Sequence, residues 1–287
     1  MSTTTIEDII LQRDQRGVSE LRAFLPPDYC HQAAQYVLDH AGTTLITTGF
    51  YIVSGKAAET DGPPGALAIG RALETLGRRV IYVTDRYTTE IMQKLAGPDA
   101  EIEDFPITTI EKSTEFSRQL IAQYNPALLI SIERCAPSRD GLYRNMRAID
   151  ITDHTARIDT LFGLHQSSVG IGDGGNEIGM GNVLSRILDR PHLHADPATT
   201  QVQRLVISSV SNWGGYGLVA ALSKLSGRDL LPSVEEEASW VRTCVELGAV
   251  DGFSGEAKEY VDGFNLEDYG LTLTDLRDLV SEPDLSG

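Results

Sequence analysis

The residues best placed to do chemistry lie in four short stretches rich in glycine, carboxylates or both. The first is Glu59-Thr60-Asp61-Gly62-Pro63-Pro64-Gly65. The second pairs Glu133 with Arg134 and continues to Asp140-Gly141. The third runs from Gly172 through Asp173-Gly174-Gly175-Asn176-Glu177 to Gly179-Met180-Gly181, and the fourth is Ser211-Asn212-Trp213-Gly214-Gly215-Tyr216. In the third, glycines beside a helix start free the backbone to present bare N–H groups, which favour a carboxylate or phosphate. Gly174 and Gly175 are thus candidate substrate contacts. Asp173 and Glu177 add hard oxygen ligands and Asn176 a neutral one, a set suited to Mg²⁺ or Mn²⁺ rather than zinc. The plainer reading of the same residues is a helix cap.

Asp61 stands just ahead of prolines suited to a first helical turn, where it would serve as an N-cap. With Glu59 it is also a candidate for metal ligation or general base work. Glu133-Arg134 reads either as a buried ion pair or as a carboxylate beside an arginine that grips a substrate carboxylate at two points. Trp213 and Tyr216 either wall a pocket with a polar edge or fill the core. The six histidines offer little. His192 and His194 alternate as on a strand, with no third ligand nearby. There is no HExxH, GxSxG or Walker sequence, and the GDGGNE glycine spacing is not the dinucleotide fingerprint, so no NAD is expected.

The elements around these stretches alternate. Residues 1–42 read as a short helical segment with a break at Pro26-Pro27. From residue 43, apolar runs at 43–50, 79–84, 101–107, 127–132, 168–171 and 205–210 read as strands. Amphipathic stretches at 64–76, 88–95, 113–124, 154–165, 176–188 and 214–225 read as helices. This order implies an α/β domain over 43–287: a mainly parallel, Rossmann-like sheet with helices on both faces, and the N-terminal segment packed on it. Ligands bind such sheets outside the carboxyl ends of the strands. Each chemical stretch follows a strand, so all four are expected on one rim.

The 287 residues carry a formal net charge of −17. Such a surface repels nucleic acid and anionic membranes, which leaves a small molecule as the expected partner; homo-oligomerisation is left open. Lysine is sparse (Lys56, Lys94, Lys112, Lys224 and Lys258), a pattern favoured in salt-rich cells, and stability is expected to rise in molar salt. Cys30, Cys135 and Cys244 form no CxxC pair, which points to a reducing compartment. Glu7 and Asp8 interrupt the first apolar residues, unlike a signal peptide, and no run is long and apolar enough to span a membrane. A cytoplasmic protein is expected.

Taken in order, these stretches resemble the C-terminal domain of the D-glutamate cyclase family. The likeness runs through Thr47-Thr48-Gly49-Phe50, Glu59 to Gly65, Glu133-Arg134, Asp140-Gly141 with Tyr143 and Asn145, Gly172 to Gly181, and Ser211 to Tyr216. It is looser around Asp251-Gly252 and Ser254-Gly255. Animal members carry a further large N-terminal domain where this sequence has its short helical segment. The resemblance implies a lyase that closes D-glutamate to 5-oxo-D-proline with loss of water, assisted by Mn²⁺ or Mg²⁺ and needing neither NAD nor pyridoxal phosphate. On that reading Asp173 and Glu177 hold the metal, with Asp61 as a third ligand. Glu133 or Glu59 is the base. Arg134 and the Gly174-Gly175 backbone bind substrate carboxylate, and Asn176, Asn212 and Tyr216 add contacts. The readings set against it are another metal-dependent enzyme acting on a small amino acid or carboxylate, and a non-catalytic module that binds a nucleotide or anion.

Overall fold

The computed structural model describes residues 4–190 and 192–281. The chain opens with α1 (Ile6–Ile10), α2 (Tyr29–Asp39) and β1 (Thr44–Thr47). A small hairpin of β2 (Tyr51–Ile52) and β3 (Ala57–Ala58) leads to α3 (Pro63–Thr75). Then come β4 (Val80–Thr84), α4 (Thr89–Ala96), β5 (Glu101–Asp104), α5 (Ile110–Tyr124), β6 (Leu128–Ile132) and α6 (Asp159–Leu164). They are followed by β7 (Ser168–Gly172), α7 (Leu184–Leu188), β8 (Arg204–Ile207) and α8 (Ser211–Ser226). After α9 (Val234–Glu246) and a hairpin of β9 (Tyr260–Val261) and β10 (Phe264–Asn265), α10 (Leu266–Ser281) completes the order.

The main sheet has six strands in the order β5-β4-β1-β6-β7-β8, and all neighbours are parallel. The runs VIYVT and LLISI are buried from end to end, as strands covered on both faces must be. Counted by chain position, the strands lie in the doubly wound order 3-2-1-4-5-6. That order reverses between β1 and β6. There the loops leaving the strand ends turn opposite ways and open a crevice. The α/β, parallel-sheet expectation therefore holds, down to the rim on which the loops gather.

Helices α3 and α8 pack on each other, and α8 also packs against α1, α2 and α10. α5 packs on α6; a right-handed crossover from β5 back to β6 sets this pair on the opposite face. The α3–α8 crossing is closed through glycine. A Cβ at Gly65 would sit 2.5 Å from Ile132 Cδ1 and 2.9 Å from Asn212 Oδ1, and one at Gly215 would sit 3.2 Å from Gly65 Cα. Gly65→Ala is thus expected to cost about 1–3 kcal/mol, as overpacking does in a tight core. Thermal denaturation reads this directly, and an unchanged melting temperature would mean that the helices can part freely.

Some elements differ from expectation. Residues 211–216 are the first turns of α8 rather than a loop, and Trp213 and Tyr216 are fully buried beneath them. The glycines that suggest a turn serve close packing instead, a case of tertiary contact overriding propensity. Residues 176–188 are not one helix. Gly179 adopts φ 107°, and a 3₁₀ turn at Met180–Val183 precedes α7. The edge strand β5 stops at Asp104, and α6 begins only at Asp159.

Candidate active site

The loops after β1, β6 and β7 meet the first turn of α8 at the switch point. Asp61 is clasped there. Its Oδ1 accepts from the N–H of Asn212 (2.8 Å) and of Gly62 (3.0 Å), and its Oδ2 from the N–H of Ser211 (2.8 Å). In return, Asn212 Oδ1 accepts from the N–H of Gly62 (2.9 Å) and of Gly65 (2.8 Å), the first turn of α3. Each helix start is thus capped by a side chain from the other. Asp173 Oδ2 accepts a longer bond from Ser211 N–H (3.2 Å), and Ser211 Oγ donates to Glu133 Oε2 (2.5 Å). One oxygen from each of Asp61, Glu133 and Asp173 lies within 4.8 Å of the others, and all three residues are buried. The N-terminal dipole of α8 favours negative charge at this spot.

Two further carboxylates border the trio. Glu59 is only 4% exposed, and Asp262 sits at 1% in the turn between β9 and β10. The principal cation among them is Arg16, from the segment between α1 and α2. Its Nη1 donates to Asp173 Oδ2 (2.8 Å), Asp262 Oδ2 (2.9 Å) and the Ser209 carbonyl (3.3 Å). Glu133 and Asp262 both take left-handed backbone conformations (φ 44° and 51°). Such conformations cost non-glycine residues free energy and persist where packing over-determines them, often at functional sites.

One guanidinium does not balance five buried carboxylates, and the proton affinities of Glu59, Asp61, Glu133 and Asp173 show it. Burial, then the Asp262 charge, pushes Asp61 up to about 7. Burial and Asp262 raise Glu59 well above the carboxylate range, burial and Glu59 do the same to Glu133, and burial raises Asp173 against the opposing pull of Arg16. A buried acid raised in this way holds its proton more tightly when folded than when unfolded. Its contribution favours folding at low pH and is lost as pH climbs from the ordinary value of 3.8 to about 7. Cation-free protein is therefore expected to melt several degrees higher at about pH 5 than at about pH 8, and Mn²⁺ to narrow that gap. Equal melting at both pH values would contradict this charge imbalance.

The alternative to protons is a cation. The trio offers only oxygen donors, the set a hard divalent ion prefers. In addition, Glu59 Oε1 and Asp262 Oδ1 are buried without a hydrogen-bond partner among the described residues. The residues present therefore fit a divalent metal.

Above the acidic floor opens a cavity of about 200 Å³, smaller than sites for drug-sized ligands. Glu59, Glu133, Asp173 and Arg16 line its base. Phe50, Ile52, Val53 and Phe253 form an apolar wall, Asn145, Met146 and Arg147 form the rim, and the buried Asn176 completes the lining. A family model described as D-glutamate cyclase-like, C-terminal, matches residues 6–277. The chain belongs to the D-glutamate cyclase-like family.

The human protein named D-glutamate cyclase, mitochondrial, is 36% identical over 274 residues, with 80% of this chain and 44% of that protein covered. The chain thus spans less than half the length of that relative. A solved structure of an exopolyphosphatase-related protein from Bacteroides fragilis overlaps 88% of this chain and 57% of its own at a TM-score of 0.43 and 11% identity. No helix among the described residues is long and apolar enough to cross a membrane.

Against this cyclase-like frame, several expected roles move. Arg134 does not face the cavity. Its guanidinium pairs with Asp85 (2.6 Å) and donates to the carbonyls of Gly49 (2.8 Å) and Ala156 (2.7 Å), so the ion-pair reading prevails, with a partner distant in sequence. The Gly174-Gly175 nest is filled from within. Glu177 Oε1 accepts from the N–H of Asp173 (3.3 Å) and Gly174 (2.7 Å), and its Oε2 from that of Gly175 (2.8 Å). Those N–H groups are therefore closed to a substrate carboxylate, and Glu133, not Glu177, stands with Asp61 and Asp173 in the carboxylate trio. Asn212 acts as the clasp described above rather than as a substrate contact. Tyr216 lies under α8 with its hydroxyl 3.4 Å from that of Tyr269, away from the cavity. Glu59, Asp61, Glu133, Asp173 and Asn176 do gather at the site. Arg16 and Asp262 escape the sequence reading. The Asp262-Gly263 pair signals the tight β9–β10 hairpin but not its position, and nothing local marks Arg16.

Proposed function

We propose that this chain closes D-glutamate to 5-oxo-D-proline with release of water. The observation that carries the reading is the buried trio Asp61, Glu133 and Asp173, two of whose members, Glu133 and Asp173, line a small-molecule cavity, in a chain of this family. The human relative's name supplies the substrate. In the reaction the amine nitrogen bonds to the carbon of the γ-carboxyl group, one oxygen of that group departs as water, and the nitrogen gives up two protons. Held by Asp61, Glu133 and Asp173, Mn²⁺ or Mg²⁺ would polarise the γ-carboxylate and offset its charge.

The side chains of the chain supply the rest. Glu59 has a buried oxygen without a partner and a raised proton affinity, both suited to taking a proton from the substrate ammonium and returning it to the departing oxygen. Asp61 and Asn212 lock the two helix starts together, so the carboxylates meet the substrate in a preset arrangement. Phe50, Ile52 and Phe253 set an apolar wall beside the place where the ring would close.

The test incubates purified protein with D- or L-glutamate, with and without Mn²⁺, in low and molar salt, and resolves 5-oxoproline by chiral chromatography. Cation-dependent D-product is expected. Folded protein that yields no product under any of these conditions would overturn the reading and turn the search to other small carboxylates.

A further inference from the structure

This inference rests on the proposed reaction. Ring closure consumes the γ-carboxylate at the acidic floor, so the α-carboxylate must be held elsewhere by a positive group. Two arginines near the cavity are already engaged. Arg16 is tied to Asp173 and Asp262, and Arg134 to Asp85. The other cation lining the cavity is Arg147, on its rim. Its side chain is exposed and makes no hydrogen bond or ion pair among the described residues; only its backbone N–H is bonded.

The turn that carries Arg147 is firmly built. Asn145 Oδ1 accepts from the N–H of both Arg147 and Ile149, at 3.0 Å each. The N–H of Ala148 donates to the Asn145 carbonyl (2.8 Å), and the N–H of Asn145 to the Ile149 carbonyl (3.0 Å). Ala148 is held at φ 57°. The turn is pinned to the site from two sides. His194 Nε2 lies 3.0 Å from the Asn145 carbonyl, and Asn176 Nδ2 donates to the neighbouring Arg144 carbonyl (2.9 Å). A rigid turn thus carries an unpaired guanidinium at the mouth of a cavity whose base is anionic. An anionic base repels a carboxylate that no cation offsets, so with one end of a dicarboxylate met by the proposed divalent ion, the guanidinium draws the other end to the rim. We infer that Arg147 anchors the substrate α-carboxylate and sets the preference for substrates that are anionic at that end.

The test compares Arg147→Ala and Arg147→Lys with the unaltered protein on D-glutamate and on its α-amide, D-isoglutamine, which keeps the reacting groups and lacks the α-charge. Arg147→Ala is expected to lower kcat/KM for D-glutamate by about 30-fold, mostly through KM, and to affect the α-amide far less. Arg147→Lys should fall between, because it keeps the charge and loses the two-point grip. An equal loss on both substrates, or no loss on either, would overturn the inference. Should the unaltered protein not turn over D-glutamate at all, the cyclase reading fails by itself, and glutarate binding followed by calorimetry then tests the anchor. Affinity about tenfold weaker in Arg147→Ala supports it; equal affinity, or no binding to either protein, overturns it.

Discussion

Glu133→Gln is expected to lose product formation by about 1000-fold or more while leaving the cation-free protein as stable as before, or more so. The activity loss follows from the position of Glu133 in the carboxylate trio: an amide there keeps the shape but removes a charged ligand, and several kcal/mol of polarisation goes with it. The gain in stability follows from charge. Glu133 is buried among Glu59, Glu177 and Asp61, all of the same sign, and the neutral form relieves that repulsion. Glu59→Gln provides the contrast. It should lose turnover to a similar degree yet keep Mn²⁺ affinity nearly intact, because Glu59 stands outside the trio. Calorimetric titration with Mn²⁺ separates the two. If both variants bound the cation as tightly as the unaltered protein, the trio would not be its site. If both lost affinity alike, Glu59 would have to be moved from base to ligand.

Arg16→Ala should be the most destabilising single change at the site. The guanidinium bonds Asp173 and Asp262 from one nitrogen and lies 5.0 Å from the centre of the Phe253 ring. Truncation leaves two buried carboxylates facing each other without compensation. Breaking a buried pair in this way costs about 3–5 kcal/mol, or roughly 10 °C in the melting temperature of a domain this size. Two rescues follow from the same electrostatics. Asp262→Asn in the Arg16→Ala background removes one of the orphaned charges and should recover part of the loss. Saturating Mn²⁺ should recover more than it adds to the unaltered protein, because it replaces missing positive charge. A melting temperature within about 2 °C of the parent, by calorimetry in chelator, would mean that the carboxylates simply take up protons and that Arg16 is dispensable for folding.

How much of this was legible in the residues depends on the reach of each interaction. Strand and helix alternate because side-chain periodicity is a local property, so runs such as VIYVT and LLISI declare buried parallel strands by themselves. Parallel strands force their carboxyl ends to one rim, and the convergence of Glu59, Asp61, Glu133 and Asp173 follows from order along the chain alone. The prolines after Asp61 likewise announce a helix start. What failed was the assignment of roles among neighbouring charges. Glu133 and Arg134 are adjacent, but the left-handed turn at Glu133 lets its carboxylate face the cavity while Arg134 turns to Asp85, a partner far back in sequence. Asp173 and Glu177 look alike as ligands, yet Glu177 folds back to cap the N–H groups of its own loop, a choice that depends on where Cys135 and Ala136 lie beside it.

Residue type and order alone announce the parallel sheet and the acidic rim. Only the tertiary structure decided which carboxylates are desolvated together and which cation answers them. Arg16 and Asp262 stand nearly the whole chain apart, and nothing beside either one names the other. Their pairing comes into being when the N-terminal segment and the last hairpin close over the switch point, where burial makes an unbalanced charge too costly to leave unanswered.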